Sequence, residues 1–103
     1  MCGAPEQTHE LPPGTDLTRQ TVLTGTVRSG GEPVGGAFVR LLDDSGEFTA
    51  EVVASASGDF RFFAAPGEWT VRALHRSGNG ETAVTAERPG LHVVEVEVEV
   101  EVA

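Results

Sequence analysis

Cys2 is the residue of this 103-residue chain with the most evident chemistry, because it is the only cysteine. Removal of Met1 would leave Cys2 with a free α-amine, whose reference pKa is about 8. The protonated amine would favour the thiolate, which is the nucleophilic form of the side chain. The alternative interpretation is an incidental cysteine in a tail without a role. A lone cysteine also excludes an internal disulfide and a cysteine-rich zinc site.

His9 lies seven residues after Cys2. The α-amine, the thiol and the imidazole could together chelate a soft metal ion such as copper or zinc. Three ligands on one short segment make a weak pattern, and we expect no cofactor. His75 and His92 have no spacing that indicates a metal site.

Four arginines alternate with apolar residues and are expected to point outward: Arg40, Arg61, Arg72 and Arg76. Their simplest role is pairing across strands, at roughly a few tenths of a kcal/mol for each pair. The carboxylates that we expect as partners are Glu47, Glu51 or Glu95. Alternatively, Arg40, Arg61 and Arg72 form a patch that binds an anion such as thiosulfate or sulfate.

The composition excludes several function classes. Seven basic and 16 acidic side chains give a formal net charge of −9, and all seven basic residues are arginine. Without lysine the chain cannot form a Schiff base or a P-loop. The negative charge repels phosphate backbones and anionic lipid, so we expect neither a nucleic-acid nor a membrane partner. No nucleophile elbow, zinc-protease motif or glycine-rich nucleotide loop is present, which argues against an enzyme without excluding one.

Short β-rich runs must position these residues. Residues 1–18 form a proline-rich, irregular N-terminal arm, because Pro12 and Pro13 cannot lie inside a helix or a central strand. Leu11 and Leu17 are expected to hold the arm against the domain. Residues 19–103 form that domain, in which turn signals recur every 8–12 residues, as in an all-β sandwich. The seven predicted runs are 21–28, 37–42, 47–55, 60–64, 69–75, 81–86 and 92–102.

Alternation selects the core faces of these strands, because successive side chains point to opposite sides. Phe60 and Phe62 share one face of their run. The faces of three further runs carry Ala37, Val39 and Leu41, then Trp69, Val71 and Ala73, then the valines between 94 and 102. Core packing is the simplest role for the aromatic residues, with a ligand platform as the alternative.

The glutamates that alternate with those valines between 95 and 101 would all face outward. Their simplest role is to keep a long edge strand from pairing with copies of itself. A cation site is the alternative, although a straight strand spreads the carboxylates apart. A strand reaching residue 102 would overhang the sandwich, so we expect a monomer or a homodimer formed through an edge strand.

The N-terminal segment has no basic region followed by an apolar stretch, so it does not match a secretory signal. No run approaches the roughly 20 apolar residues of a membrane span. We therefore expect a cytoplasmic protein, in which an unpaired thiol stays reduced.

Four motifs, in order, resemble an immunoglobulin-like sandwich of the carboxypeptidase-regulatory-like or transthyretin-like (prealbumin-like) type. They are Val22-Leu-Thr-Gly-Thr-Val27 with Gly31-Glu-Pro-Val34, Gly36-Ala-Phe-Val39, Gly58-Asp-Phe-Arg-Phe62 and Pro66-Gly-Glu-Trp69. The resemblance implies a seven-stranded sandwich. Transthyretin-like hydroxyisourate hydrolases end in a Tyr-Arg-Gly-Ser motif, whereas this chain ends in Glu-Val-Ala, which argues against that enzymatic branch.

Over nearly its whole length, the chain is similar to small actinobacterial proteins of SseC type, which are assigned to sulfur metabolism. It includes Met1-Cys2, Gly35-Gly-Ala-Phe-Val-Arg-Leu-Leu-Asp43 and Glu47-Phe-Thr-Ala-Glu-Val-Val-Ala-Ser55. Genes of this type lie beside those of thiosulfate sulfurtransferases (rhodaneses). The resemblance implies a non-catalytic accessory protein that accepts sulfane sulfur on Cys2 from a rhodanese. The alternatives are an interaction module without chemistry and a metal-binding arm.

Overall fold

The structure, a computed structural model, describes residues 14–76 and 78–98. Within them the chain forms only β-strands and turns, which confirms the all-β prediction. Eight strands are present, one more than the seven predicted: β1 (Thr21–Ser29), β2 (Glu32–Pro33), β3 (Phe38–Leu42), β4 (Phe48–Val53), β5 (Asp59–Ala64), β6 (Gly67–His75), β7 (Gly78–Ala86) and β8 (Gly90–Glu97).

The strands form two four-stranded sheets. In the first sheet, β1 pairs antiparallel with β5 and with the two-residue β2, and it pairs in parallel with β8. The second sheet has the order β4-β3-β6-β7 and is antiparallel throughout. The additional strand is β2, which forms because the glycines at 30 and 31 turn the chain back onto β1.

The core lies between the sheets and contains the side chains that the alternation predicts. Phe60 and Phe62 are buried, with ring centroids 6.1 Å apart. Val71 and Ala73 are buried, and Trp69 packs against the same core while its indole nitrogen donates to the Ala65 carbonyl at 2.9 Å. These residues confirm the simplest role that we assigned to the aromatic side chains.

The final strand also follows its predicted alternation. Val94, Val96 and Val98 are buried, whereas Glu95 and Glu97 are exposed. The strand begins at Gly90, two residues before the predicted start, because its first residues pair with the beginning of β1. The part of the predicted run beyond residue 98 lies outside the described residues.

The strand predicted at 81–86 begins three residues earlier in the structure, so the glycines at 78 and 80 lie within it. β7 begins at Gly78, which pairs with His75. Gly80 lies inside the strand, where a β-carbon would stand 1.8 Å from the Glu97 carbonyl oxygen. The absence of a side chain at Gly80 therefore allows β7 to approach β8 closely. Two residues along β7, the hydroxyl of Thr82 donates to the Glu95 carbonyl at 3.0 Å.

Two aspartates stabilise the turns that precede strands. Asp43 accepts from the Ser45 hydroxyl at 2.7 Å and from the Glu47 amide at 2.9 Å. These hydrogen bonds, the one from the Ser45 side chain above all, lower the pKa of Asp43. Asp16 accepts from the side chain and the amide of Thr18 in the turn before β1, which lowers its pKa in the same way.

None of the described residues forms a helix long and apolar enough to cross a membrane.

Candidate interaction surface

The outer surface of the second sheet carries a row of four charged side chains. Cross-strand register places Glu51, Arg40, Arg72 and Glu81 side by side on β4, β3, β6 and β7. Arg40 Nε lies 2.7 Å from a Glu51 carboxylate oxygen, and Arg72 lies 3.0 Å from Glu81. Partly exposed pairs contribute about 0–1 kcal/mol each to stability. Their main effect is to fix two guanidinium groups next to each other at the centre of the sheet.

An apolar cluster lies beside this row, two residues along the strands. Phe38 on β3 pairs with Val53 on β4 and with Leu74 on β6. Phe38 is 51% exposed and Val53 is 41% exposed, although both are large apolar side chains. Because alternate residues of these strands fill the core, the cluster must face outward. The sheet therefore presents apolar side chains to solvent in adjacent positions.

A groove of about 450 Å³ opens next to this cluster. It is lined by Phe38 and Leu74, by His75 and Arg76, and by the glycines at 35 and 36. His75 ends β6 and is partly exposed. The lining of the groove thus combines two large apolar side chains with one arginine and one histidine.

A further aromatic ring lies on the other side of the charged row. Phe48 is exposed at the start of β4, where an irregular register sets it opposite Leu42. The guanidinium of Arg40 lies 6.0 Å from the centre of its ring, which is within the range of a cation–π contact. Arginine and aromatic groups therefore alternate across this surface.

We call this surface the interaction face. It comprises Phe38, Arg40, Phe48, Glu51, Val53, Arg72, Leu74, Arg76 and Glu81. Three of the seven arginines lie here with only two carboxylates, although the whole chain carries −9. The residues of the interaction face therefore sum to a net charge of +1, and Arg40 and Arg72 are paired with its two glutamates.

The three arginines predicted as an anion patch do not share a surface. Arg40 and Arg72 are register partners in the second sheet, whereas Arg61 lies on β5 of the first sheet. Arg61 is also buried, contrary to the prediction that it points into solvent. Alternation predicts the side of the sheet on which Arg61 lies, but not its degree of exposure.

The predicted charge pairs are partly correct. Arg40 pairs with Glu51 as expected. Glu95 instead pairs with Arg28 at 3.3 Å, because β8 lies parallel to β1. The same arrangement brings Glu97 to within 3.1 Å of the Gly30 amide.

The remaining predicted ligands are separated or lie outside the described residues. Cys2 and His9 belong to the segment 1–13, which the structure does not describe. His92 is on β8, with its Nε2 atom 2.9 Å from the Arg88 carbonyl oxygen. Among residues 14–76 and 78–98, no three histidine or carboxylate side chains are grouped as a metal site would require. Sulfur acceptance by Cys2 and metal binding by the arm stay predictions.

The apolar part of the interaction face was not identified from the sequence. A signal was nevertheless present, because the inward assignment of Ala37, Val39 and Leu41 places Phe38 on the opposite side of the same strand. An outward phenylalanine between glycines and an arginine is the feature that could have indicated the surface.

Comparison with known proteins places the chain among proteins whose activity is not described. The model of the DUF1416 family, a protein of unknown function, matches residues 2–98. The uncharacterized protein Rv0814c of Mycobacterium tuberculosis is 60% identical over 99 residues, covering 95% of this chain and 99% of the relative. An uncharacterized protein of Mycolicibacterium smegmatis is 64% identical over 89 residues, covering 85% of this chain and 99% of that protein.

Solved structures with low sequence identity share the β-sandwich fold. The minor pilin GBS52 of Streptococcus agalactiae superposes with a TM-score of 0.65 at 17% identity over 82% of this chain. A DUF3823 family protein from Parabacteroides merdae superposes with a TM-score of 0.62 at 20% identity over 79% of this chain. The chain spans 46% of the length of either structure, so the likeness concerns less than half of each.

Proposed function

This chain belongs to the DUF1416 family of proteins of unknown function, and we propose that it works as a protein-interaction module with no chemistry of its own. A partner protein docks on the interaction face. The observation that carries the proposal is the adjacent exposure of Phe38 and Val53, at 51% and 41%, beside an apolar groove. Neighbouring apolar side chains that stay in water on a folded domain are typical of binding surfaces.

The residue types of the interaction face fit this role. Aromatic and arginine side chains supply most of the binding energy in protein interfaces. Here Phe38 and Phe48 lie on either side of Arg40 on one rigid sheet. Strand pairing fixes these side chains before binding, so little conformational entropy is lost when a partner docks.

The arginines indicate the chemistry of the partner. Arg76 lines the apolar groove, and Arg40 and Arg72 lie beside it. A protein segment with an apolar side chain next to a carboxylate would fill the groove and bring its carboxylate close to these guanidinium groups. The surrounding charge of −9 repels acidic molecules in general. Only a segment that reaches these arginines gains from them, which favours specificity.

A second copy of this chain is a poor occupant of the same surface when the two-fold axis passes through the centre of the charged row. The charged row reads Glu51, Arg40, Arg72, Glu81 and is therefore symmetric. A two-fold axis along the strands would place Arg40 opposite Arg72 of the copy, and an axis along the row would place each charge opposite itself. Both arrangements oppose like charges, which is unfavourable.

Photo-crosslinking in cells tests the proposal. Phe38 is replaced by p-benzoylphenylalanine, and the matched control carries the same group at Val93, which is 73% exposed on the first sheet. We expect one discrete protein partner to crosslink from position 38 and not from position 93. The purified partner must then bind the native chain, and Arg76→Glu must weaken that binding. Absence of a crosslink at position 38, or the same products from both positions, would contradict the proposal.

Sulfur carriage on Cys2 is the second candidate, and its support is the single cysteine at position 2. The Cys2 thiolate would attack the outer sulfur of a rhodanese persulfide, and the enzyme thiolate would leave as that sulfur–sulfur bond breaks. Incubation with a rhodanese and thiosulfate, followed by intact mass measurement, tests this step. We expect a gain of one sulfur atom that Cys2→Ser abolishes. An unchanged mass of the native chain would rule out the transfer.

A further inference from the structure

The two edges of the second sheet differ in whether a further strand could pair with them. β7 lies against β8, with a particularly close approach at Gly80, which leaves no room for another strand. At the opposite edge, β4 pairs with β3 and with no other strand among residues 14–76 and 78–98. Four of its six residues are exposed: Phe48, Thr49, Glu51 and Val53. Of these two edges, β4 is therefore the one that a further strand could join.

The direction of the backbone groups of β4 follows from its register. The Ala54 amide donates to the Ala37 carbonyl at 2.8 Å, so the backbone groups of Ala54 point towards β3. Along an antiparallel strand, the backbone groups of successive residues point alternately towards the paired strand and away from it. The N–H and C=O groups of Glu51 and Val53 therefore point away from β3, towards the open side of the edge.

The open stretch of this edge is short. Beyond its C-terminal end, the Ser55 amide donates to the Asp59 carbonyl at 2.9 Å. Towards its N-terminal end, the register with β3 shifts between Leu41 and Leu42, which marks a bulge, and bulges limit strand pairing at sheet edges. An added antiparallel strand would exchange both backbone hydrogen bonds with Glu51 and with Val53.

We propose that the partner of the interaction face adds an extended segment to β4 as a further antiparallel strand. This inference rests on the proposed function, because Glu51 and Val53 belong to the interaction face. Strand addition supplies affinity through main-chain hydrogen bonds and specificity through alternate side chains. An outward charge on an edge strand normally opposes such pairing, but Arg40 lies 2.7 Å from the Glu51 carboxylate and neutralises it.

The rows of the interaction face specify the side chains of the added segment. The residue opposite Val53 extends the apolar row that Val53 forms with Phe38 and Leu74, so it is apolar. The residue opposite Glu51 meets a carboxylate at the end of the charged row, so it is basic. Between them, the residue opposite the buried Val52 points to the core side and is apolar. From its N-terminus, the segment therefore has the order apolar, apolar, basic.

The occupant that fits this order is a different protein. β4 itself contains no basic residue, so no antiparallel pairing of β4 with β4 of a second copy places a basic side chain opposite Glu51. The residues that precede the added strand lie at the Val53 end of β4, which is the end of the sheet that carries the groove. The carboxylate that we expect to approach Arg76 thus precedes the two apolar residues.

Amide hydrogen exchange of the full chain, followed by NMR, tests whether the edge is open. We expect protection factors for Glu51 and Val53 that are lower by about tenfold or more than the one for Val52, whose amide points to β3. Equal protection of the three amides would overturn the proposal. If the chain also sedimented as a dimer, a second copy would occupy the edge instead of a partner.

Two synthetic peptides test the expected order of side chains. The probe is a peptide of about eight residues with the central order valine, valine, lysine, and the second peptide has glutamate in place of the lysine. We expect the lysine peptide to bind about fivefold or more tightly in an NMR titration and to slow the exchange of the Glu51 and Val53 amides. Glu51→Lys should reverse the preference, whereas Glu81→Lys, the matching charge on β7, should keep it. Binding of neither peptide, equal binding of both, or the same preference in both variants would overturn the proposal.

Val53→Pro separates this proposal from the proposed function. Proline removes the outward N–H of residue 53, and edge strands tolerate proline where the N–H faces solvent. The matched control is Val53→Ala, which shortens the side chain and keeps the N–H. The crosslinked partner should bind Val53→Pro about tenfold or more weakly than Val53→Ala. Equal affinity for these two variants, together with weaker binding to Phe38→Ser, would overturn the added strand and leave the proposed function standing, whereas unchanged binding to Phe38→Ser would contradict both.

Discussion

For the substitution Gly80→Ala, strand propensity and tertiary structure predict changes in stability of opposite sign. Glycine within a strand is less favourable than alanine by about 0.5–1 kcal/mol, so strand preference alone predicts a gain in stability. In the fold, the β-carbon of an alanine at position 80 would lie 1.8 Å from the Glu97 carbonyl oxygen and 3.4 Å from the Val98 α-carbon. Both of these contacts are backbone atoms, so no side-chain rotation relieves the overlap.

The expected loss of stability follows from the separation of β7 from β8 that the added β-carbon requires. Moving β7 away from β8 breaks the hydrogen bond from the Thr82 hydroxyl to the Glu95 carbonyl, which is worth about 1 kcal/mol. Overpacking of this kind costs a further 1–3 kcal/mol or so. After subtraction of the gain from strand preference, we expect Gly80→Ala to lower the free energy of unfolding by about 1–3.5 kcal/mol. For a chain of this length, the melting temperature should fall by roughly 5–20 °C.

Urea denaturation followed by tryptophan fluorescence or circular dichroism measures this change. The control is Asn79→Ala, an exposed neighbour on the same strand, for which we expect a change within about 0.5 kcal/mol. A Gly80→Ala variant as stable as the native chain, or more stable, would refute the close approach of β7 to β8.

Three other predictions concern the turns, the core and the arm. Asp43→Asn should destabilise the fold. Because hydrogen bonding lowers the folded-state pKa of Asp43, its contribution to stability is present at neutral pH and is lost as the pH falls below about 4. In urea titrations, the difference in unfolding free energy between the variant and the native chain should therefore be larger at pH 7 than at pH 3. Phe60→Ala should cost about 3–5 kcal/mol in thermal or urea unfolding, because Phe60 is fully buried, and an unchanged midpoint would contradict its place in the core. The metal-binding hypothesis predicts copper or zinc in untagged protein by elemental analysis, lost in His9→Ala, and metal-free protein would reject it.

The strands and the core could be predicted because one local rule governs them. Valine and glutamate alternate in β8, so burial there follows directly from sequence position, and the alternation in β5 likewise places Phe60 and Phe62 in the core. The same rule predicts that Phe38 points away from the core. It does not say whether the outward side of a sheet is covered, which depends on segments distant in sequence.

Features that depend on strand order could not be predicted. Gly80 resembles a turn residue, and only the approach of β8 to β7 gives it another role. Arg28 pairs with Glu95 because β1 and β8 are parallel neighbours, although 67 residues separate them. The burial of Arg61 is a third case, since alternation predicts its side of the sheet and not its degree of exposure.

The affinity of the crosslinked partner for variants of the interaction face tests the proposed function most directly. Phe38→Ser removes the exposed aromatic anchor, and Val93→Ser removes an exposed apolar side chain from the other sheet. Calorimetric titration of the purified partner should show a dissociation constant about tenfold or more higher for Phe38→Ser, equivalent to about 1.4 kcal/mol, and no change for Val93→Ser. An unchanged dissociation constant for Phe38→Ser would contradict docking on the interaction face.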